Sequence, residues 1–217
     1  MRRIGHVLGR RRFLGVSAGL ASISAMPACA AGLSTTPAQA EGPFYPLDLP
    51  LDHDSDLTRV EGRNEGAAGT VLDLGGRVLG ADGRPVSDVR VEIWQCDALG
   101  VYHHPGDRRG PGDPNFQGFG QTIADDEGGY RFRTIVPVAY PGRTPHIHFK
   151  ILGADVEALT TQMYVAGNPD NARDGLYRRL GRASELVTVP LQPDGGSGGQ
   201  RALFDIVLGP DGVTTSG

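Results

Sequence analysis

Cysteine is nearly absent: the 217-residue chain has two, Cys29 and Cys96. Two thiols cannot build the disulfide framework of a small secreted scaffold or a four-cysteine metal site. No run of 18 apolar residues occurs either, so nothing in the mature chain reads as a membrane-spanning helix. Nor is there an excess of basic charge. The formal balance of −4 argues against nucleic acid as a partner. Helical periodicity is rare, whereas glycine (33) and proline (16) together make up about a quarter of the chain. That excess excludes a helical bundle and predicts many short strands joined by turns.

The charge is unevenly placed. Residues 1–30 hold five arginines (Arg2, Arg3, Arg10, Arg11, Arg12) and no acid. A short, weakly apolar stretch follows from Gly15 to Ala25, and then the small residues Ala28-Cys29-Ala30-Ala31. A basic start, a short apolar centre and small residues are the signature of a secretory signal. Arg10-Arg11-Arg12-Phe13-Leu14 resembles the twin-arginine export signal, which implies a periplasmic or extracellular destination and a passenger that travels folded, often with its cofactor. Lipidation at Cys29 is the lesser alternative, because Met26-Pro27-Ala28-Cys29 is a poor lipobox. Setting residues 1–30 aside leaves 16 basic and 25 acidic residues, a mature charge of −9. Only Cys96 then remains, as a small buried hydrophobe on a strand.

Residues 31–69 read as an irregular, proline-rich entry arm with one apolar knot, Gly42-Pro43-Phe44-Tyr45-Pro46. Residues 70–217 read as the main domain. Strands are predicted at Val71–Leu79, Val89–Trp94, Tyr130–Ile135 and about 146–152, 159–165, 186–191 and 202–208. In the second of these, Val89, Val91 and Ile93 face one way and Arg90, Glu92 and Trp94 the other. One short helix is predicted near 171–180. The loop over 103–119 is long enough to be functional. The pattern predicts an all-β fold, an antiparallel β-sandwich with long active-site loops and at most one or two short helices.

His146-Ile147-His148 is the sharpest local feature. Side chains alternate along a strand, so both imidazoles emerge on one face and can hold one ion; a pair of exposed strand histidines is the bland alternative. No cysteine cluster or third histidine lies nearby, but Tyr140 and Tyr102 are candidates. A phenol, with an unperturbed pKa of about 10, is a poor ligand for a divalent ion at neutral pH. A hard trivalent cation stabilises the phenolate outright. Two tyrosinates and two imidazoles suit Fe³⁺.

With these residues in view, the sequence resembles the intradiol ring-cleavage dioxygenases, the protocatechuate 3,4-dioxygenase and catechol 1,2-dioxygenase type. The resemblance runs from about Thr36 to Leu208. It is carried by Thr36-Pro37-Ala38-Gln39-Ala40-Glu41-Gly42-Pro43-Phe44-Tyr45, by Trp94-Gln95-Cys96-Asp97 through Tyr102, by Gly129-Tyr130-Arg131-Phe132-Arg133-Thr134-Ile135, and by Tyr140-Pro141-Gly142-Arg143-Thr144-Pro145-His146-Ile147-His148-Phe149. It implies Fe³⁺ held by Tyr102, Tyr140, His146 and His148, with Tyr140 displaced when a catechol binds. It also implies Arg143 steadying charge on the substrate ring and Gln162 beside that ring. The implied partners are a catechol-type substrate and O₂, the product a cis,cis-muconate-type diacid, and a homo-oligomer is compatible with it. Two rivals share parts of the same sequence. Gly76 to Val89 is also similar to transthyretin-like and carboxypeptidase-regulatory-like sandwiches, which are exported binding modules without catalysis. A divalent-metal hydrolase would use His146 and His148 with an acid such as Asp125.

Overall fold

The computed structural model describes residues 32–153, 156–196 and 198–209. The export-signal and Cys29 readings lie outside these residues. All the described residues fall within one compact unit. Among the described residues, ten strands form two five-stranded sheets: β1 (Val71–Gly80), β2 (Arg90–Trp94), β3 (Phe119–Ile123), β4 (Gly129–Ile135), β5 (His146–Gly153), β6 (Val156–Val165), β7 (Thr188–Val189), β8 (Gln192–Pro193), β9 (Gln200–Leu203) and β10 (Ile206–Leu208). One sheet runs β3-β2-β5-β6-β7, and the other is built around β1, with β4, β8, β9 and β10. The only α-helix among the described residues is α1 (Gly175–Arg179), between 3₁₀ turns at Pro169–Ala172 and Gly181–Val187. This is the all-β sandwich that the alternation predicts.

Period-two alternation builds the core. From β2, Val91 and Ile93 point inward, from β5 Ile147, Phe149 and Ile151, and from β6 Leu159 and Met163. They meet Leu72, Leu74, Val78, Tyr130, Phe132, Phe204, Ile206 and Leu208 of the other sheet. Burying each such side chain is worth about 1.5–3 kcal/mol, enough to hold the sandwich without a disulfide. The outer face of β2 departs from a solvated strand face: Glu92 and Trp94 are as buried as the core, because the entry arm lies over them. Tyr45 donates to Glu92 Oε2 at 2.8 Å and packs edge-on to Trp94 at 5.0 Å. Cys96 is buried but lies just past β2, with its Sγ 3.7 Å from the Val138 carbonyl oxygen.

Pairing is antiparallel for β1–β4, β2–β3, β2–β5, β5–β6 and β8–β9, as expected, yet β9 and β10 run parallel to β1, and β7 parallel to β6. These parallel partners are not joined by tight hairpins, so no turn forces them antiparallel. The strand expected over 202–208 is broken between β9 and β10, which pair with successive halves of β1. At the break the Phe204 amide donates to the Gly75 carbonyl at 2.8 Å, Tyr130 Oη donates to the Phe204 carbonyl, and Arg77 N donates to Asp205 Oδ1 at 2.9 Å. Of the strand expected at 186–191, only Thr188–Val189 is β7; the 3₁₀ turn runs through Val187, and residues 190–191 are irregular. The helix expected at 171–180 is shortened because Asp174 caps α1, accepting from Leu176 N at 2.8 Å and Tyr177 N at 3.1 Å.

Gly76 faces this break, and a Cβ there would overlap the Phe204 carbonyl and the Tyr130 hydroxyl. Gly76→Ala is therefore expected to destabilise the domain by about 1–3 kcal/mol through overpacking, read as a lower urea midpoint at unchanged slope.

Candidate metal centre

The site lies on the outer face of the β2-β5-β6 sheet. Register sets Trp94 opposite His148, His148 opposite Gln162, and His146 opposite Tyr164. These five side chains share the face opposite the one that carries Ile93, Ile147, Phe149 and Met163. Both histidines are almost fully buried, so the face is covered rather than wet.

Two turns bring the tyrosines in. Asp97, itself buried, accepts from the amides of Leu99 at 2.8 Å and Val101 at 2.9 Å through Oδ1, and of Asp113 at 2.6 Å through Oδ2. That carboxylate closes the turn ahead of Tyr102 and pins the far side of the long loop to it. Tyr140-Pro141-Gly142-Arg143 is a second turn, with Arg143 N donating to Tyr140 O at 2.9 Å and Gly142 at φ 84°. Proline followed by a left-handed glycine is the type II pattern, and it sets Tyr140 and Arg143 side by side.

The four predicted ligand side chains converge. Tyr102 Oη is 3.5 Å from His146 Nε2. Ring centroids are 5.6 Å apart for Tyr102 and Tyr140, 5.5 Å for Tyr140 and His146, and 4.9 Å for His146 and His148. His146 Nδ1 faces the Thr144 carbonyl oxygen at 2.6 Å, and an acceptor there requires Nδ1 to carry the proton. Nε2 is thereby left with its lone pair toward Tyr102. His148 stacks on Trp94 at 4.7 Å and 9°, and its Nδ1 is buried without a hydrogen-bond partner.

Protonation states follow from burial. Burial, with Arg143 nearby, pushes His146 down to about 3. Burial, then His146 and Arg143, push His148 well below the ordinary imidazole range. Both rings are neutral lone-pair donors. Burial and the neighbouring Tyr140 raise the Tyr102 phenol well above its ordinary value. Burial raises Tyr140 as well, against the pull of Arg143. Only a strong positive charge placed among them turns these phenols into phenolates.

The donor set fits such an ion. Among the described residues no group of three His, Cys, Asp or Glu side chains could hold a metal, so the histidines find no conventional divalent partner set. Asp125, the acid a hydrolase would need, is spent in the turn after β3, accepting from Gly129 N at 2.6 Å and Glu127 N at 3.1 Å. Two neutral imidazoles and two phenols remain, the combination that suits a hard trivalent cation.

Arg143 is held rather than free. Its Nε donates to Asp174 Oδ2 at 2.8 Å and its Nη2 to Gln162 Oε1 at 2.5 Å, while Nη1 lies 3.5 Å from Tyr140 Oη. Gln162 Nε2 donates to the Ala40 carbonyl at 2.9 Å, and Tyr164 Oη donates to Gln162 Oε1 at 3.2 Å. The structure thus places Gln162 beside Arg143 and ties both to the entry arm. Asp174, Asp107, Arg109, Phe44 and Trp94 complete the surroundings; the sequence reading gave none of them a place at the site, although Phe44 and Trp94 lie in the segments that carry the resemblance. For Asp174 a signal existed: an acid just before a short apolar-spaced helix is a helix start. A cavity of about 1130 Å³ lies elsewhere, on the outer face of the other sheet, where Arg77, Arg131 and Arg201 line it.

The family model described as "Dioxygenase" matches residues 40–210. The chain belongs to the intradiol dioxygenase family. It is 44% identical over 138 residues to the protocatechuate 3,4-dioxygenase beta chain of Burkholderia cepacia, covering 59% of this chain and 58% of that one. It is 32% identical over 188 residues to the 6-chlorohydroxyquinol 1,2-dioxygenase of Cupriavidus pinatubonensis, covering 78% and 63%. The matches thus span less than two thirds of these relatives' own lengths. Among solved structures, the dioxygenase domain of a dioxygenase–carbohydrate-binding fusion from Streptomyces sp. SirexAA-E is similar at a TM-score of 0.65 and 31% identity, over 81% of this chain and 99% of that one. Within this dioxygenase family the match spans both tyrosines and both histidines.

Asp174 yields a pH prediction. Burial opposes its charge, but Arg143 and the amides of Tyr177 and Thr144 hold its carboxyl below the ordinary carboxylate value. A depressed folded pKa contributes stability that is present above the unfolded value, about 4, and is lost as pH falls through the folded one. Asp174→Asn is expected to lower stability by about 1–3 kcal/mol at pH 7. Its gap to wild type should narrow below about pH 4 in urea titrations run at several pH values.

Proposed function

We propose that the protein is a non-haem Fe³⁺ dioxygenase that cleaves a catechol-type ring between its two hydroxylated carbons. It consumes O₂ and yields a cis,cis-muconate-type diacid. The observation that carries this reading is the convergence of two buried neutral imidazoles, His146 and His148, with the phenols of buried Tyr102 and half-buried Tyr140. The names of the similar proteins agree with it. A non-catalytic sandwich module leaves that convergence unexplained.

Tyr102, Tyr140, His146 and His148 would hold the iron, which supplies Lewis acidity and a template for the two oxygens of the substrate. Tyr140 is less enclosed than Tyr102 and stands beside Arg143, so, once the bound ion has made it a phenolate, its oxygen would be the group placed to take a proton from the substrate hydroxyl and become a phenol again. Tyr102, fully enclosed under Phe44, stays in place. Arg143 cannot swing away, because Asp174 and Gln162 hold it from two directions. Its fixed guanidinium faces the region where the ring gains negative charge, and a dipole already in place costs no reorganisation. Phe44 and Trp94 line the site with apolar surface and keep bulk water from it.

The iron assignment is checked directly. Purified, iron-loaded protein is expected to be red-brown, with a colour shift on adding catechol. Tyr102→Phe and His148→Ala should each lose bound iron by elemental analysis while circular dichroism still reports a folded sandwich. Full iron retention in both variants would overturn the ligand set.

Export by the twin-arginine route is part of the same proposal, supported by Arg10-Arg11-Arg12-Phe13-Leu14. Replacing Arg10 and Arg11 with lysine keeps the charge and removes the paired guanidinium groups. Cell fractionation should then find the protein retained in the cytoplasm; continued export would exclude this route.

A further inference from the structure

A second arginine meets the candidate centre from the long loop. The guanidinium carbon of Arg109 lies 4.5 Å from the ring centroid of Tyr140, 5.5 Å from that of Phe44 and 6.0 Å from that of Tyr102. Three aromatic faces therefore share one cation. Its edge is occupied by Asp107: Arg109 Nε donates to Oδ1 at 2.8 Å, and Nη2 pairs with Oδ2. Asp107 Oδ2 also accepts the backbone amide of Tyr102 at 2.8 Å. The Asp107 side chain is 1% exposed and that of Arg109 is 27% exposed, so the pair sits at the rim with the carboxylate inward.

A guanidinium can make this double contact because it is planar, donating in its plane to a carboxylate while its flat face lies on a ring. One carboxylate thus fixes both the backbone of Tyr102 and the cation that covers Tyr140. Tyr140 is restrained at other points as well. Its turn holds the backbone, and Arg143 Nη1 touches the hydroxyl end at 3.5 Å. Its ring also meets Tyr102, edge-on at 5.6 Å, Phe44, edge-on at 6.5 Å, and the tilted His146 ring at 5.5 Å, and Arg109 adds the cation over its face.

We propose that Arg109, anchored by Asp107, is a positioning residue that fixes the ring plane of Tyr140 relative to Tyr102. Arg143 steadies the hydroxyl end of Tyr140, Arg109 the ring face, and Asp107 couples that face to the other tyrosine. The kinetic consequence rests on the iron dioxygenase reading; the structural one does not.

The test uses Arg109→Met, which keeps the stem and removes the guanidinium, and Asp107→Asn, which releases the arginine. In metal-free protein labelled with 3-fluorotyrosine, the Tyr140 fluorine signal is assigned with Tyr140→Phe. Both variants are expected to shift and broaden that signal. Tyr130, anchored in the other sheet by the Phe204 carbonyl, should keep its wild-type position and so report an intact fold. In iron-loaded protein, Arg109→Met should lower kcat for catechol about tenfold while KM changes much less. A Tyr140 signal at the wild-type position in both variants overturns the positioning role. A shifted signal with unchanged kcat overturns its bearing on the reaction. If iron-loaded wild type turns over none of catechol, protocatechuate and hydroxyquinol, the dioxygenase reading fails, and the fluorine signals still decide where Arg109 acts.

Discussion

Strand β5 is covered on both faces by segments far away in the chain. Inward, Ile147, Phe149 and Ile151 enter the core. Outward, His146 and His148 lie beneath the entry arm and the long loop, stripped of water yet outside the hydrocarbon. Burial makes the imidazoles neutral and the phenols reluctant to ionise. It thereby leaves two neutral imidazoles and two phenols facing one another out of water, the donor set on which the proposed iron reading rests. Were the outer face of β5 wet, the two histidines it carries would titrate near their ordinary value.

The cover is held in place by polar contacts rather than by regular structure. Gln39 binds the outer edge of the sheet, its backbone amide donating to Thr160 O at 2.8 Å and its side chain to the Gln162 carbonyl at 3.0 Å. Tyr45 is fixed by Glu92, while Lys150 lies 4.1 Å from its ring centroid and pairs with Glu41 at 2.6 Å. Phe44, carried on that arm, stacks on Tyr102 at 4.6 Å and 24°. The Tyr45–Trp94–His148 stack continues the contact down to a candidate ligand.

Buried carboxylates do in the loops what disulfides do in many small domains. Asp97 ties the Tyr102 turn to Asp113, Asp107 ties it to Arg109, and Asp174 joins the start of α1 to Arg143 and Thr144. Each collects two or more backbone or guanidinium donors, and a carboxylate saturated in this way is worth more than a surface ion pair. The arginines that meet the site therefore arrive already neutralised and oriented. Their role is direction, with little net charge added.

Much of this was legible in the chain. Alternation in Val91 to Trp94 and His146 to Ile151 specified which residues face the core and which share the other face, because strand geometry is local. The His-x-His spacing put two candidate imidazoles on that other face for the same reason, and Tyr140 and Tyr102 stood as candidates with them. The turn residues Pro141 and Gly142 were readable as a corner. What could not be read were the partners brought from far away: the parallel pairing of β9 and β10 with β1, the burial of Glu92 and Trp94, and the anchoring of Arg143 by Asp174, 31 residues later. Arg109 illustrates the divide. Its sequence neighbours mark only an exposed polar loop, and its place over Tyr140 exists because a carboxylate and two turns converge there. Local geometry along one strand is a property of the sequence by itself. Which surfaces cover that strand, and hence which protons its side chains keep, is decided only when distant segments pack, since desolvation depends on every neighbour at once.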